Sequence, residues 1–173
     1  MAVALTTTVV VAVGASPAQA SSTLVNAGVS LMTYAGNTTG MVLDIAEGAT
    51  THNTPLIDWP ATGRDNQKFN FYGIVGSNND YVITTFAGMC LASYPAEGRS
   101  VIQDDCNGNP SLQYWHLEED YNFWSGETVW KWQLHGTNLC MDVAGDSPNA
   151  HTQVIVWPCG DFKLNQEFIP YRQ

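Results

Sequence analysis

Three short strings recur in the same order three times along this chain. The first is Gly40-Met41-Val42-Leu43-Asp44, then Gly88-Met89-Cys90-Leu91-Ala92, then Asn138-Leu139-Cys140-Met141-Asp142. The second is Ile57-Asp58-Trp59-Pro60-Ala61, Ile102-Gln103-Asp104-Asp105-Cys106 and Ile155-Val156-Trp157-Pro158-Cys159. The third is Asn66-Gln67-Lys68-Phe69, Leu112-Gln113-Tyr114-Trp115 and Asn165-Gln166-Glu167-Phe168, each with Gln-x-aromatic at its centre. Corresponding positions lie roughly 50 residues apart, and nine matches in a fixed order indicate a triplicated unit. A unit of that size cannot bury its own apolar face, so the three copies must share one core.

Each unit reads as short strands. Val29 to Tyr34, Tyr81 to Phe86 and Thr128 to Leu134 are rich in β-branched and aromatic residues, and Gly, Asn, Asp and Pro clusters interrupt the chain at close intervals. No stretch sustains a capped 3.6-residue period. The expectation is an all-β fold, with the threefold repeat favouring a closed barrel over a sandwich.

The order Cys-Leu-Asp, Trp-Pro-Cys, Asn-Gln-x-aromatic resembles the ricin-type β-trefoil lectins, also met as carbohydrate-binding modules of secreted glycosidases. The resemblance covers nearly all of residues 24–173. It implies a β-trefoil of twelve strands, four per repeat, with a six-stranded barrel closed by three hairpins. The repeats, conventionally α, β and γ, are set at about residues 24–71, 72–118 and 119–173 of a single domain spanning 21–173. The four cysteines form no C-x-x-C pair and allow three pairings. The resemblance selects Cys90–Cys106 and Cys140–Cys159, each worth about 3 kcal/mol in the chain-entropy model. The α repeat has Val42 and Ala61 at both places.

A sugar presents vicinal hydroxyls and a patch of C–H. An ionised carboxylate accepts two hydrogen bonds from the hydroxyls, an amide donates and accepts, and an aromatic face covers the C–H patch. The α repeat supplies Asp44, Trp59, Asn66 and Gln67, and the γ repeat supplies Asp142, Trp157, Asn165 and Gln166, where family lectins carry carboxylate, stacking ring and amides. Many family members have a Gln two residues before the ring. Ile57 and Ile155 stand there and cannot hydrogen-bond. The β repeat has Ala92 for the carboxylate, Asp104 for the ring and Leu112 for the Asn, so it is expected to bind nothing. Phe69, Trp115 and Phe168 are expected in the core, because even the β repeat keeps an aromatic there. His52 and His151 are expected in loops facing the two candidate sites. Glu118-Glu119-Asp120 reads as a solvated hairpin tip.

Charge narrows the partners. The formal net charge is −10, with 6 Lys and Arg against 16 Asp and Glu. That balance disfavours nucleic acid and anionic membranes, which need clustered cations. The 45% hydrophobic content argues against disorder. Met1 to Ala20 has an apolar run, Val9 to Val13, too short to span a bilayer, ahead of Ala18-Gln19-Ala20, an A-x-A cleavage pattern. It reads as a signal peptide lacking its usual basic start, and with the cysteines it points to secretion. Asn37-Thr38-Thr39 is a glycosylation sequon, relevant only in a host that glycosylates. No G-x-S-x-G, H-E-x-x-H or Walker loop occurs, the histidines share no metal spacing, and no cofactor or metal is implied. The expectation is a non-catalytic lectin for galactose-containing glycans or plant polysaccharides such as xylan. The alternative is a β-trefoil protease inhibitor or another protein-binding module.

Overall fold

The computed structural model describes residues 21–37, 40–122 and 126–171. The predicted signal peptide and the end of the Asn37 sequon lie outside them.

The first repeat forms β1 (Ser22–Thr33), β2 (Met41–Ile45), β3 (Thr54–Pro60) and β4 (Phe69–Ile74). The second forms β5 (Asp80–Thr84), β6 (Cys90–Ala92), β7 (Arg99–Ser100), β8 (Ile102–Asp104), the short helix α1 (Pro110–Gln113) and β9 (Tyr114–Asn122). The third forms β10 (Glu127–Leu134), β11 (Leu139–Val143), β12 (Thr152–Pro158) and β13 (Phe168–Tyr171). All pairings are antiparallel. β1, β4, β5, β9, β10 and β13 pair in a closed ring, β13 returning to β1. The hairpins β2–β3, β6–β8 and β11–β12 cap it and meet one another through β3–β8, β3–β12 and β7–β12. This is a β-trefoil, and ring closure leaves the barrel no open edge.

The described residues form thirteen strands where twelve were expected. The extra one arises at Val101, where one strand changes partners: Arg99 and Ser100 pair with β12, whereas Ile102 to Asp104 pair with β6. Val101 donates its N–H to Val154 and accepts from Leu56 N–H, bridging the other two caps. The acidic run is also placed differently. Glu118 to Asp120 lie within β9, facing Lys131 to Val129 of β10, with their side chains exposed on the outer wall. All three side chains reach water although they stand within a strand.

The core is built in threes, one residue per repeat at each level: Leu31, Ile83 and Trp132; Leu43, Leu91 and Met141; Leu56, Val101 and Val154; Phe69, Trp115 and Phe168. All are completely out of solvent, which accounts for the aromatic ending each Gln-x-aromatic string. Trp115 also donates its indole N–H to Leu91 C=O at 3.0 Å. Cys90 bonds Cys106 and Cys140 bonds Cys159, 16 and 19 residues apart. In the α repeat a backbone bond from Ala61 N–H to Gly40 C=O takes the course that Cys159 N–H to Asn138 C=O takes in the γ repeat. The sheet ladder therefore holds that hairpin without sulfur.

One core position differs in chemistry among the repeats. In the β repeat Thr85 donates to Gln103 at 3.0 Å, and the γ repeat has apolar Leu134 and Val156. In the α repeat Thr33 donates to Asp58 Oδ1 at 2.8 Å, and Asp58 Oδ2 is buried with no partner. Burial pushes the Asp58 carboxyl up to about 6, against the Thr33 hydrogen bond. The folded form thus binds the proton more tightly than the unfolded chain does. This contribution favours folding at low pH and is lost as pH rises from about 4 to 6, by on the order of 3 kcal/mol. Asp58→Asn is accordingly expected to gain about that much relative to wild type between pH 4 and pH 7. Urea unfolding at both pH values measures it, and a constant difference between the two proteins would refute the assignment.

Candidate carbohydrate-binding sites

The first string of each repeat is the inner strand of a cap hairpin, and the second is its outer strand. In the α repeat the pairs Asp44–Ile57 and Val42–Trp59 set the carboxylate and the ring on the same hairpin. In the γ repeat Asp142–Ile155 and Cys140–Trp157 do the same. Trp59 and Trp157 are 39% and 42% exposed, whereas the core tryptophans are fully covered. A large ring kept in water beside a carboxylate is available for stacking.

The third string closes each site with a short 3₁₀ turn, Asp65–Gln67 or Leu164–Gln166. Asn66 Nδ2 donates to Asp44 Oδ1 at 2.8 Å and to Ile45 C=O at 3.2 Å. Asn165 Nδ2 donates to Asp142 Oδ1 at 2.7 Å and to Val143 C=O at 3.1 Å. Gln67 Nε2 donates to Asp44 Oδ2 at 2.8 Å and Pro60 C=O at 3.0 Å, while its Oε1 accepts Thr62 N–H at 2.7 Å. Gln166 repeats this with Asp142 Oδ2 at 2.8 Å, Pro158 C=O at 3.1 Å and Gly160 N–H at 3.0 Å. Each carboxylate is thereby fixed by two amides, leaving its remaining lone pairs for a ligand.

The two glutamines are completely buried, behind the aspartates. They hold the carboxylate and the loop together and do not line either cavity. Gln113 performs the loop half of this role in the β repeat, accepting from Asn107 and Gly108 N–H and donating to Asp105 C=O. Gln-x-aromatic is therefore a folding signature in all three repeats. Only the α and γ repeats add an inner-strand aspartate bonded to this Gln.

The α cavity, about 380 Å³, is lined by Asp44, Ile57, Trp59, Asn66, Thr62, Gly48, Glu47, Arg64 and His151. Its γ counterpart, about 400 Å³, is lined by Asp142, Ile155, Trp157, Asn165, Gly145, Asp146 and Lys163. Ile57 and Ile155 form apolar wall where a Gln was expected from the family pattern. Burial raises the Asp44 carboxyl above the usual aspartate range, countered by the Gln67 and Asn66 hydrogen bonds and by the charges of Arg64 and His151. Burial likewise raises Asp142, countered by Gln166, Lys163 and Asn165.

The histidines sit one repeat away from where the sequence order suggested. The loop before each outer strand reaches over the neighbouring repeat. His151 of the γ repeat donates its backbone N–H to Asp58 C=O at 2.7 Å and sets its ring edge-on to Trp59, with centroids 5.9 Å apart. His52 of the α repeat lies by the β repeat, its Nδ1 3.9 Å from Asp105 Oδ2. His52, Asp104 and Asp105 bring their ligand-type atoms within 4.8 Å of one another on an exposed corner, where the α repeat instead has its cavity. Ala92 is buried and offers no carboxylate. Arg64, Lys163, Glu47 and the crossing of His151 were not identified from sequence. The signal available for the two cations was their shared place, three residues before each Gln.

Comparison with known proteins agrees with this architecture. No curated protein matches the chain. Among solved structures, the designed three-fold symmetric protein ThreeFoil superposes with a TM-score of 0.70 at 20% identity, covering 84% of this chain and 99% of the other. The Macrolepiota procera ricin B-like lectin, solved in complex with lactose, gives 0.66 at 22% identity, covering 87% and 100%. The Polyporus squamosus lectin, bound to a Neu5Ac-α2,6-Gal-β1,4-GlcNAc epitope, gives 0.64 at 16% identity, covering 87% of this chain and 50% of that one. A family model described as the ricin-type beta-trefoil lectin domain matches residues 31–168, and the chain belongs to that family.

Proposed function

We propose that this chain is a secreted, non-catalytic lectin that binds galactose-type or related sugars at shallow sites in its α and γ repeats. One observation carries the reading. The Asp–Asn–Gln constellation is built twice, with corresponding hydrogen bonds agreeing to 0.1 Å, each beside a half-exposed tryptophan. In the β repeat the fold persists without it. Folding thus does not require the constellation, and a polyhydroxylated ligand does. The lactose and sialylated glycan held by two structurally similar lectins both contain galactose and support galactose-containing sugars as first candidates, with xylan next.

The non-catalytic reading rests on separation. Glycoside hydrolysis needs two carboxyl groups about 5–9 Å apart in one cleft. Asp44 and Asp142 line different cavities and cannot form such a pair, and the second carboxylate of each cavity, Glu47 or Asp146, is exposed at the rim, Asp146 accepting the Gly36 N–H at 2.7 Å. Export is supported by two disulfides, which persist in oxidising compartments.

A glycan array probed with the chain and with Asp44→Ala, Asp142→Ala and the double variant tests the proposal. Each single variant should bind more weakly than wild type, and the double variant should not bind. Binding that survives the double change would refute the site assignment, and wild type silent on every sugar would favour a protein-binding module. Binding should also fail on acidification. The ionised carboxylate is the acceptor, and both aspartates are shifted upward, so affinity should start to fall above the ordinary aspartate range near pH 3.8. Calorimetry from pH 7 to pH 4 reads this. Affinity unchanged down to pH 4 would contradict it.

A further inference from the structure

The two cavities share their polar floor and differ at their rims. Of the six Lys and Arg in the chain, two occupy equivalent places, Arg64 and Lys163, each three residues before its Gln and each lining a cavity. The β repeat, which lacks the aspartate and the ring, has Pro110 there. In a protein of net charge −10, cations placed at both sites and missing from the third repeat are not a scattered surface feature.

The cations are not equally available. Lys163 Nζ donates to Pro158 C=O at 3.3 Å, folding the ammonium back onto its own loop. Arg64 is exposed, and its guanidinium makes no hydrogen bond or ion pair among the described residues, although two acceptors, Glu47 and Asp44, line the same cavity. The crossing loop adds a second difference. His151 and Gly98 are equivalent, since each donates its backbone N–H across the caps, to Asp58 and Val156 C=O respectively. Both have φ in the left-handed region, 71° and 76°. Over the γ ring this position is a glycine, whose added Cβ would meet Trp157 at 3.9 Å. Over the α ring it is a histidine set edge-on to Trp59. The imidazole supplies an N–H donor in either tautomer.

From this we infer that the α site selects glycans bearing an anionic substituent, a sulfate or a carboxylate, while the γ site takes the neutral sugar. This rests on the sugar-binding reading above. Asp44 and Asn66 take the vicinal hydroxyls and Trp59 the C–H face. A substituent projecting over the rim then meets Arg64, whose planar fork matches an oxyanion with two parallel hydrogen bonds, and the His151 N–H. Glu47 on the same rim opposes the approach, so the preference should weaken as salt screens Arg64.

The test isolates the α site in an Asp142→Ala background. Calorimetry is run with lactose, a sulfated lactose and sialyllactose, the last two separating sulfate from carboxylate. The anionic sugars should bind about tenfold more tightly than lactose. That ratio should shrink at high salt and fall to about one in Arg64→Gln with His151→Gly, a change that gives the α rim the residue the γ rim already has. Lys68→Gln, which removes a cation paired with Asp65 at 3.0 Å outside the cavity, should leave the ratio intact. In the converse Asp44→Ala background the ratio should be about one. Equal affinity for all three sugars at the α site, or a ratio that persists in the double rim variant, would overturn the inference while leaving a lectin. Binding of none of them would remove the lectin reading with it.

Discussion

Changing Asp44 and Asp142 together to alanine is expected to abolish retention on an immobilised glycan and leave the barrel folded. Alanine is the informative substitution because it removes the acceptor yet leaves every amide one partner, at the cost of one unpaired N–H on each, about 1–3 kcal/mol where it is buried. With Asp44 gone, Asn66 Nδ2 keeps Ile45 C=O and Gln67 Nε2 keeps Pro60 C=O. The γ amides keep Val143 and Pro158 C=O. Asparagine would instead turn an N–H toward these donors. Hydrogen bonds to a charged group contribute about 1.5–3 kcal/mol each, which is most of the ~4 kcal/mol that a millimolar single site supplies. Loss of one aspartate should therefore silence one site. Two sites on one rigid barrel gain roughly 10²-fold avidity on a multivalent surface, so either single variant should lose about that factor. Surface plasmon resonance on a dense glycan surface reads the avidity, and circular dichroism confirms the fold. Avidity unchanged in either single variant would mean that the site it removes was not in use.

The second large effect separates the two kinds of tryptophan. Trp115→Ala should cost about 3–5 kcal/mol. The ring is fully buried in the layer it shares with Phe69 and Phe168, and its loss also leaves Leu91 C=O without its indole donor. Trp157→Ala should change stability by less than about 1 kcal/mol, because the ring is largely outside the core. It should nevertheless eliminate sugar binding at the γ site. Urea midpoints and calorimetric affinity, measured on both variants, should move in opposite patterns. A large stability loss in Trp157→Ala would place that ring in the core and remove it as a stacking surface.

The repeated strings made much of this legible in the sequence. A triplicated pattern of about 50 residues limits the chain to folds in which three copies share a core, and the positions invariant in kind, Gln-x-aromatic, proved to be the buried ones. Asp44 with Asn66 and Asp142 with Asn165 were found as pairs because each sits at a place the β repeat has abandoned. The depth of Gln67 and Gln166 was less visible, since a glutamine beside an asparagine reads as a second ligand amide until its three partners are seen. The crossing loops were not visible at all. Sequence order puts His52 next to the α strings and His151 next to the γ strings, whereas the cap-to-cap pairings β3–β8 and β12–β3 carry each loop onto the following repeat in the cycle. The split between β7 and β8 has the same origin, a partner change dictated by the neighbouring cap. Such features belong to the packing of three units about an axis, and no single unit encodes them.

Two repeats are expected to bind sugar and the third is not. This is tested most directly by following the tryptophan indole N–H signals by NMR while titrating lactose and, separately, a xylo-oligosaccharide. With at least one of these sugars the Trp59 and Trp157 signals should shift in a saturable way. The core signals of Trp115 and Trp132, and the backbone amides of Asp104 and Asp105, should stay in place. Shifts centred on the β repeat, or none at Trp59 and Trp157 with either sugar, would contradict it.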